Sequence, residues 1–260
     1  ITFTPSAIGS ASSTLTISHN AGSGSSTATL SAFGSASSGT AVKGQISSDT
    51  VWSASGSPYV VTGTVLVSEG VKLTVEAGVE VKFDSGTSLQ VFGELVAQGT
   101  SSSGITFTSA QESKAAGDWG QIVFYDSSVD ASFDGDGDYA SGSILEYCTV
   151  EYGSGIQLKL STPFINQSTI RYHSGTGIGQ TIDYFVSTAV LKITNNTISN
   201  NISDGDGGGI DLHWRGQNAA IISGNTISNN ITDEDGGGIN SEGSKAIISG
   251  NTIENNKTGS

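Results

Sequence analysis

Alternating aspartates in a glycine-rich stretch are the first residues whose type and spacing could support chemistry. The stretch reads Asp134-Gly-Asp136-Gly-Asp138. Because alternate carboxylates in a flexible loop can converge their oxygens on one hard cation, this pattern favours calcium. It departs from the EF-hand loop, because Tyr139 stands where that loop has its turn glycine. The stretch therefore predicts either a calcium site or a solvated acidic loop.

Two further acidic pairs lie 29 residues apart in the second half of the chain. Asp204 and Asp206 precede one Gly-Gly-Gly-Ile phrase, and Asp233 and Asp235 precede the next. If these segments stack as neighbouring strands, their carboxylates lie about 5 Å apart. Like charges at that spacing repel each other unless a cation separates them or solvent screens them. We therefore expect either a second calcium site or an exposed acidic corner.

A third group combines an acid, an imidazole and a guanidinium. Alternation along an extended segment places Asp211, His213 and Arg215 on one face. His213 could then carry a proton, and Arg215 could bind a substrate carboxylate. Trp214 and, from an earlier segment, Tyr172 could stack on a sugar ring. The alternative is a locally inserted turn with ordinary polar ends.

A repeated phrase defines the elements that must position these residues. Asn-Thr-Ile recurs, and its isoleucines Ile198, Ile227 and Ile253 are separated by 29 and 26 residues. Each period holds at least two short strands between Gly, Asn and Asp turns, and no stretch has the spacing of a long amphipathic helix. We expect the isoleucines to stack in a buried column, each coil covering the next. Asparagine suits the corners, because it tolerates left-handed backbone angles and can hydrogen-bond to the same position one coil away.

These phrases resemble those of right-handed parallel β-helix proteins, an architecture shared with pectate lyases and many secreted bacterial surface proteins. The resemblance spans residues 49–260 and implies an all-β solenoid. Residues 1–38 are alternating strands that resemble the end of an immunoglobulin-like sandwich module of bacterial surface proteins. They predict a small antiparallel segment, joined to the solenoid by a Ser/Ala/Gly-rich linker at 39–48.

Composition excludes several classes of function and partner. The formal net charge of −14 excludes a surface that binds nucleic-acid phosphates. The sequence holds no apolar run long enough to cross a membrane. The one cysteine, Cys148, permits no internal disulfide and fits a buried, small apolar role. Abundant Ser, Thr, Gly and Asn with few lysines favour an extracellular or cell-surface location.

Catalysis on this fold has requirements that the resemblance implies. Its lyases use an Arg or Lys facing a calcium-neutralised uronate, and its hydrolases use clustered aspartates with a nearby histidine and an Arg-x-Lys pair. This chain has two arginines, Arg171 and Arg215, and lacks the hydrolase signature. We therefore expect no catalysis, and a polysaccharide lyase if the protein is an enzyme.

The expected function is that of an extracellular structural or adhesive protein. Both ends of the predicted fold look incomplete, which predicts a self-assembling surface fibre. Copies would join head to tail, either by strand complementation through the N-terminal strands or by stacking of coils. The alternative for the ends is a fragment of a longer protein. The alternative for the function is a carbohydrate-active enzyme or a glycan-binding module with an extracellular polysaccharide as its partner.

Overall fold

The computed structural model describes residues 9–18, 24–34, 39–183, 189–214, 219–243 and 245–259. The chain divides into two compact units, residues 1–38 and residues 39–260. The first unit holds strands β1 (Gly9–Ser18) and β2 (Ser25–Gly34), which pair antiparallel over their full length. Whether this hairpin belongs to an immunoglobulin-like sandwich stays a prediction.

The second unit is a right-handed parallel β-helix built from short strands. In chain order these are β3 (Thr40–Ile46), β4 (Thr50–Trp52), β5 (Tyr59–Val67), β6 (Lys72–Val75), β7 (Glu80–Phe83), β8 (Leu89–Val91), β9 (Glu94–Gln98), β10 (Ile105–Ser109), β11 (Ile122–Phe124), β12 (Ser132–Phe133), β13 (Tyr139–Ser141), β14 (Ile144–Glu146), β15 (Cys148–Glu151), β16 (Ile156–Leu158), β17 (Phe164–Asn166), β18 (Thr169–Arg171), β19 (Ile178–Asp183), β20 (Val190–Thr194), β21 (Thr197–Ser199), β22 (Ile202–Ser203), β23 (Ile210–Trp214), β24 (Ala219–Ser223), β25 (Thr226–Ser228), β26 (Ile231–Thr232), β27 (Ile239–Glu242), β28 (Lys245–Ser249), β29 (Thr252–Glu254) and β30 (Lys257–Thr258). A single 3₁₀ turn, Ala54–Gly56, interrupts them among the described residues. No helix in this part of the chain is long and apolar enough to cross a membrane.

Three parallel faces surround the core, and each coil crosses them in the same order. Face A contains β4, β6, β9, β14, β17, β20, β24 and β28. Face B contains the first half of β5, then β7, β10, β15, β18, β21, β25 and β29. Face C contains the second half of β5, then β8, β11, β16, β19, β23 and β27. Because β5 turns the corner without a break, faces B and C form one continuous sheet.

The core is a column of apolar side chains in register from coil to coil. Ile170, Ile198 and Ile227 occupy equivalent positions on face B and are fully buried. Branched aliphatic side chains suit this column, because each packs against the equivalent side chain above and below it. The predicted isoleucine column is thus confirmed for Ile198 and Ile227, whereas Ile253 keeps the register but is 49% exposed in the last coil.

Two ladders of asparagine amides run inside the turns of the later coils. The first ladder, in the turns from face A to face B, contains Asn196, Asn225 and Asn251. The second, in the turns from face B to face C, contains Asn201, Asn230 and Asn256. In each ladder the Oδ1 atom accepts the backbone N–H of the equivalent residue one coil earlier, while Nδ2 donates to an isoleucine carbonyl of that coil. The amides therefore provide hydrogen-bond partners for buried backbone N–H and C=O groups of the turns.

The first coil is covered by strand β3 and by an aromatic pair. Trp52 is buried and stacks on Tyr59 with ring centroids 5.1 Å apart. The segment predicted as a linker, 39–48, contains β3, which pairs in parallel with both halves of β5. The strand forms there because Val42 and Ile46 pack against the apolar core that the first coil would otherwise expose.

Candidate functional site

A polar groove of about 300 Å³ lies where the turns from face B meet face C. It crosses four successive coils, those of β11, β16, β19 and β23. We call it the face-C groove, and its lining residues are Gln121, Ser154, Gln157, Ser174, Gly175, Thr176, Ser203, Asp204, Gly205, Asp206 and Asp211. Strand register explains the convergence, because each coil contributes residues from the segment before its face-C strand or from the start of that strand.

The floor of the groove follows one outward-facing row of face C. In that row Gln157, Gly179, Asp211 and Asn240 are aligned by the parallel register of β16, β19, β23 and β27. Their neighbours Ile156, Ile178 and Ile210 point into the core, as alternation along a strand requires. Gly179 carries no side chain, so the row is recessed between the amide of Gln157 and the carboxylate of Asp211.

An imidazole enclosed by acidic groups lies at one end of this row. His213 Nε2 is 2.9 Å from Asp211 Oδ1 and 3.4 Å from Asp206 Oδ2. On the neighbouring strand β27, Asn240 Nδ2 is 2.8 Å from the same ring nitrogen and donates to Asp211 Oδ1 at 3.0 Å. Glu242 Oε2 lies 3.5 Å from His213 Nδ1. The side chains of His213 and Asp211 are only 11% and 17% exposed, so the centre of the cluster is shielded from bulk water, whereas the Glu242 side chain is 75% exposed.

The electrostatics of the cluster suit reversible protonation. Burial raises the pKa of the Asp211 carboxyl, the hydrogen bond from Asn240 and the charge of His213 oppose that rise, and the charge of Asp206 adds to it. A carboxyl group whose pKa is raised by burial holds a proton more readily than a solvated one, so it can donate as well as accept a hydrogen bond. The arrangement can therefore accept hydrogen bonds from a ligand and can hold or release a proton at Asp211.

Two sets of residues that the sequence singled out separately meet in this cluster. Asp206 comes from the acidic pairs, whereas Asp211 and His213 come from the group with acid, imidazole and guanidinium. Arg215, the third member of that group, lies outside the described residues. Trp214 ends β23, and its side chain lies outside them as well.

Tyr172, the other predicted sugar-stacking residue, lies away from β23, at the turn that follows β18. Its ring stacks on Tyr152 of the preceding coil with centroids 5.4 Å apart, and the residue is 36% exposed. The guanidinium of Arg171 lies 5.2 Å from the centre of the ring. The pair Tyr152–Tyr172 is therefore a partly exposed aromatic surface, two residues from the groove residues Ser154 and Ser174.

The structure gives the calcium candidates other roles. Asp134, Asp136 and Asp138 lie at the tip of the antiparallel hairpin β12–β13, which is inserted between faces C and A. There the Asp134 carboxylate accepts the backbone N–H groups of Asp136 and Asp138 at 3.0 and 2.9 Å, so it closes its own turn. Throughout the described ranges, no three His, Cys, Asp or Glu side chains are grouped so that they could hold a metal ion. The calcium prediction finds no support in this arrangement.

The repeated acidic pairs lie in adjacent coils, and one of their carboxylates contacts the backbone of the other pair. Asp206 Oδ1 accepts the backbone N–H of Asp235 at 3.0 Å, and Asp235 in turn accepts the N–H of Gly207 through its backbone oxygen. Asp204 lines the face-C groove, whereas the backbone N–H of Asp233 donates to Ser203 O at 3.2 Å. The backbone N–H of Asp235 therefore offsets part of the charge of Asp206.

Sequence reasoning missed the neutral side chains of the groove. Ser154 and Thr176 belong to phrases, Ser-Gly-Ile and Thr-Gly-Ile, that recur once per coil before a face-C strand. That recurrence was visible, and it could have identified residues that share one edge of the solenoid. Gln157 gave no such signal, because its alignment with Asp211 depends on the register of three strands.

Comparison with protein families agrees with this architecture. The family model described as pectate-lyase-like β-helix domain matches residues 44–185. A second family model, described as periplasmic copper-binding protein (NosD), matches residues 129–260. Comparisons with curated proteins and with solved structures each gave no match. Each family match spans just over half of the 260 residues, and the chain therefore belongs to the pectate-lyase-like β-helix domain family and to the NosD family.

Proposed function

We propose that this protein is an exported glycan-binding β-helix and that the face-C groove is its binding site. The observation that carries the proposal is the lining of the groove, in which three carboxylates face neutral amides and hydroxyls on a rigid solenoid. Sugar hydroxyl groups are both donors and acceptors, so such a mixed lining can pair with many of them at once. Because the groove crosses four coils spaced about 4.8 Å apart, it suits an extended oligosaccharide better than a single sugar.

The charge of the groove selects among classes of glycan. Among the described residues, its lining includes Asp204, Asp206 and Asp211 but no lysine or arginine. Together with the net charge of −14, this lining disfavours uronate polymers and favours neutral or amino-sugar glycans. The polysaccharide-lyase alternative needs a basic side chain, yet Arg171 is bound to the carboxylate of Glu151 at 2.8 Å. Arg215 lies outside the described residues, so nothing in the described groove supports lyase chemistry.

The family descriptions support export more than they support copper. NosD proteins are described as periplasmic, which agrees with the predicted location outside the cytoplasm. Copper sites favour imidazole and sulfur ligands, but the sequence has no methionine and its one thiol, Cys148, is buried. His173 uses both ring nitrogens in hydrogen bonds to the backbone. The donors among the described residues therefore do not fit a copper centre, and we propose no copper chemistry.

Calorimetry with matched oligosaccharides tests the proposal. Hexamers of N-acetylglucosamine, glucosamine and galacturonate present neutral, cationic and anionic versions of one ligand size. We expect binding of a neutral or cationic hexamer, weakened at least tenfold by the double substitution Asp206→Asn/Asp211→Asn, because each carboxylate hydrogen bond contributes about 1.5–3 kcal/mol.

Two exposed aspartates outside the groove provide the control. Asp136→Asn/Asp138→Asn removes the same charge from the hairpin tip and should leave binding unchanged. Equal losses from the two double variants would show non-specific attraction by the acidic protein and would reject the site. Appearance of shorter products during the titration would favour an enzyme that uses Asp211 and His213.

We also propose a second candidate function, self-assembly through the apolar column. Ile248 and Ile253 are 46% and 49% exposed, whereas Ile222 and Ile227, in register one coil earlier, are fully buried. Another coil would bury them, whether it came from further residues of the same polypeptide or, in a fibre, from a second copy by stacking or by strand complementation. Such a fibre would be the structural or adhesive surface component that the repeats predict.

Sizing of the purified chain over a range of concentrations tests self-assembly. Ile248→Glu/Ile253→Glu should abolish any polymer, since both side chains lie on the end of the column. Ile247→Glu is the control, because Ile247 is aligned with the outward-facing Ile221. A chain that is strictly monomeric at high concentration would refute the idea.

A further inference from the structure

His173 occupies a position in the second ladder that later coils give to asparagine. The residue one place earlier in each coil has a left-handed backbone, with φ of 57° at Tyr172 and 58° at Asn200. His173 follows Tyr172 as Asn201 follows Asn200, and it is fully buried. The coil before it has Gly153 at this place, where a Cβ atom would lie 2.6 Å from Trp119 Cε2. The ladder of side chains therefore begins at His173.

The imidazole reproduces both hydrogen bonds of an asparagine amide. Asn201 Oδ1 accepts the backbone N–H of His173 at 3.1 Å, and its Nδ2 donates to Ile170 O at 3.3 Å. One coil earlier, His173 Nδ1 accepts the backbone N–H of Gly153 at 3.2 Å, and Nε2 lies 3.1 Å from Val150 O. A carbonyl can only accept, so Nε2 carries the proton and Nδ1 is the bare acceptor. The ring is thus held as the neutral tautomer.

An imidazole can do one thing that an amide cannot, which is to take up a proton in mild acid. An imidazolium has two N–H groups and no acceptor, so protonation would set the Gly153 N–H against an N–H on Nδ1. We propose that His173 is an acid-sensitive latch, and that its protonation releases Gly153 and loosens the adjacent wall of the face-C groove. The asparagine positions of the same ladder cannot respond in this way.

The charged groups around His173 are already paired, so they do not compensate an imidazolium. On β15, Glu151 is bound by Arg171 of β18, by Thr108 and, at 3.7 Å, by Lys114. In the loop between β10 and β11, the Asp118 carboxylate accepts a hydrogen bond from Ser109. The Trp119 ring packs edge-on against the His173 ring, with centroids 6.5 Å apart. From the following coil, the neutral amide of Asn201 contacts the backbone N–H of His173. Burial accordingly lowers the pKa of His173 to about 4, although Glu151 opposes that shift.

The latch is continuous with the groove wall. Gly153 and His173 directly precede Ser154 and Ser174, which line the groove, and the Ser174 N–H donates to Gly153 O at 3.0 Å. Release of Gly153 would therefore move both serines. This consequence for ligand binding rests on the proposed function, whereas the release itself does not.

Amide hydrogen exchange at Gly153, compared between pH 7.5 and pH 4.5, tests the latch without any ligand. A histidine with a pKa of 6.5 when opened and about 4 when closed makes opening about 70-fold more favourable at the lower pH. We expect the protection factor of Gly153, corrected for intrinsic exchange, to fall by that factor in the native chain. In His173→Asn it should change less than threefold, because the amide keeps the acceptor at every pH.

Two controls keep the test decisive. The amide of Asn196, which donates to Asn225 in the histidine-free first ladder, should keep its protection at both pH values. If His173→Asn does not fold, nitrogen chemical shifts of the native imidazole replace it, and a ring that titrates at pH 6 or above in the folded protein overturns the proposal. Equal loss of protection in the native and His173→Asn chains overturns it as well.

Discussion

The two asparagines of one turn, Asn229 and Asn230, should respond in opposite ways to the same pair of substitutions. Asn230 is fully buried, and its side chain belongs to the second ladder. Its Oδ1 accepts the backbone N–H and the Nδ2–H of Asn201 at 3.1 and 2.9 Å, and its Nδ2 donates to Ile198 O at 3.0 Å. Asn229 is exposed and adopts a φ of 57°. One residue therefore supplies hydrogen bonds, and the other supplies a backbone conformation.

The contacts give the size of each effect. Asn230→Ala leaves the buried N–H of Asn201 without its acceptor, at about 1–3 kcal/mol, and removes one hydrogen bond to Ile198 O, at about 0.5–1.5 kcal/mol, so we expect a loss of about 1.5–4.5 kcal/mol. Asn230→Gly should cost at least as much, since glycine restores neither bond. Asn229→Ala should cost about 1 kcal/mol through left-handed strain, and Asn229→Gly should cost nothing measurable. The sequence itself contains an Asn-to-Gly replacement at a left-handed position. Gly224 and Gly250 occupy the place that Asn195 occupies in an earlier coil.

Equilibrium unfolding in urea, followed by circular dichroism, measures all four variants against the native chain. The diagnostic outcome is rescue by glycine at 229 and no rescue at 230. A cost below 1 kcal/mol for Asn230→Ala, or a Gly variant at 230 as stable as the native chain, would refute the assignment of the ladder as a source of stability.

Three further predictions concern groups inside the solenoid. The pKa of His173 is about 4 in the folded chain and 6.5 in the unfolded chain, so the unfolded chain binds more protons between these two pH values. The free energy of unfolding should therefore fall by up to about 3 kcal/mol as the pH drops from 6.5 to 4. Urea titrations of His173→Asn should show no such fall. Arg171→Ala should destabilise the fold by about 1–3 kcal/mol, because it leaves the buried carboxylate of Glu151 with Thr108 and a lysine at 3.7 Å; thermal melts against the exposed-site control Lys43→Ala measure this, and an equal effect of the two would contradict it. Cys148 should resist a thiol-specific reagent at pH 8 until the chain is unfolded, because burial raises the pKa of the thiol; rapid labelling of the folded chain would contradict its buried position.

The repeat made the fold predictable, because inward-facing isoleucines and turn residues recur at nearly constant intervals. Ile198 and Ile227 could be placed in a column from spacing alone, and the structure confirms that placement. The different roles of Asn229, a left-handed backbone, and Asn230, hydrogen bonds inside the turn, could not be predicted. They depend on which of the two amides points inward. His173 was equally hidden, because only the register of the turns shows that an imidazole occupies an asparagine position.

The candidate site was predictable only in pieces. Asp211 and His213 could be placed on one face of an extended segment, which the alternation along β23 reproduces. Their approach to Asp206 and alignment with Gln157 depend on the lengths of several different coils, which vary along the chain. The aspartates at 134, 136 and 138 look like cation ligands in sequence, but a hairpin tip uses the first carboxylate to close its own turn. The local sequence pattern thus predicts which side chains lie on the same side of one strand. The lengths of the coils decide which side chains from different coils lie next to each other.

A crystal structure of the chain with a bound amino-sugar or neutral oligosaccharide tests the central claim most directly. The account predicts sugar rings lying across β16, β19 and β23, with ring hydroxyl or amino groups hydrogen-bonded to Gln157, Asp206 and Asp211. A sugar bound at the Tyr152–Tyr172 pair, on face A or on the outer surface of face B, with the groove empty, would contradict it.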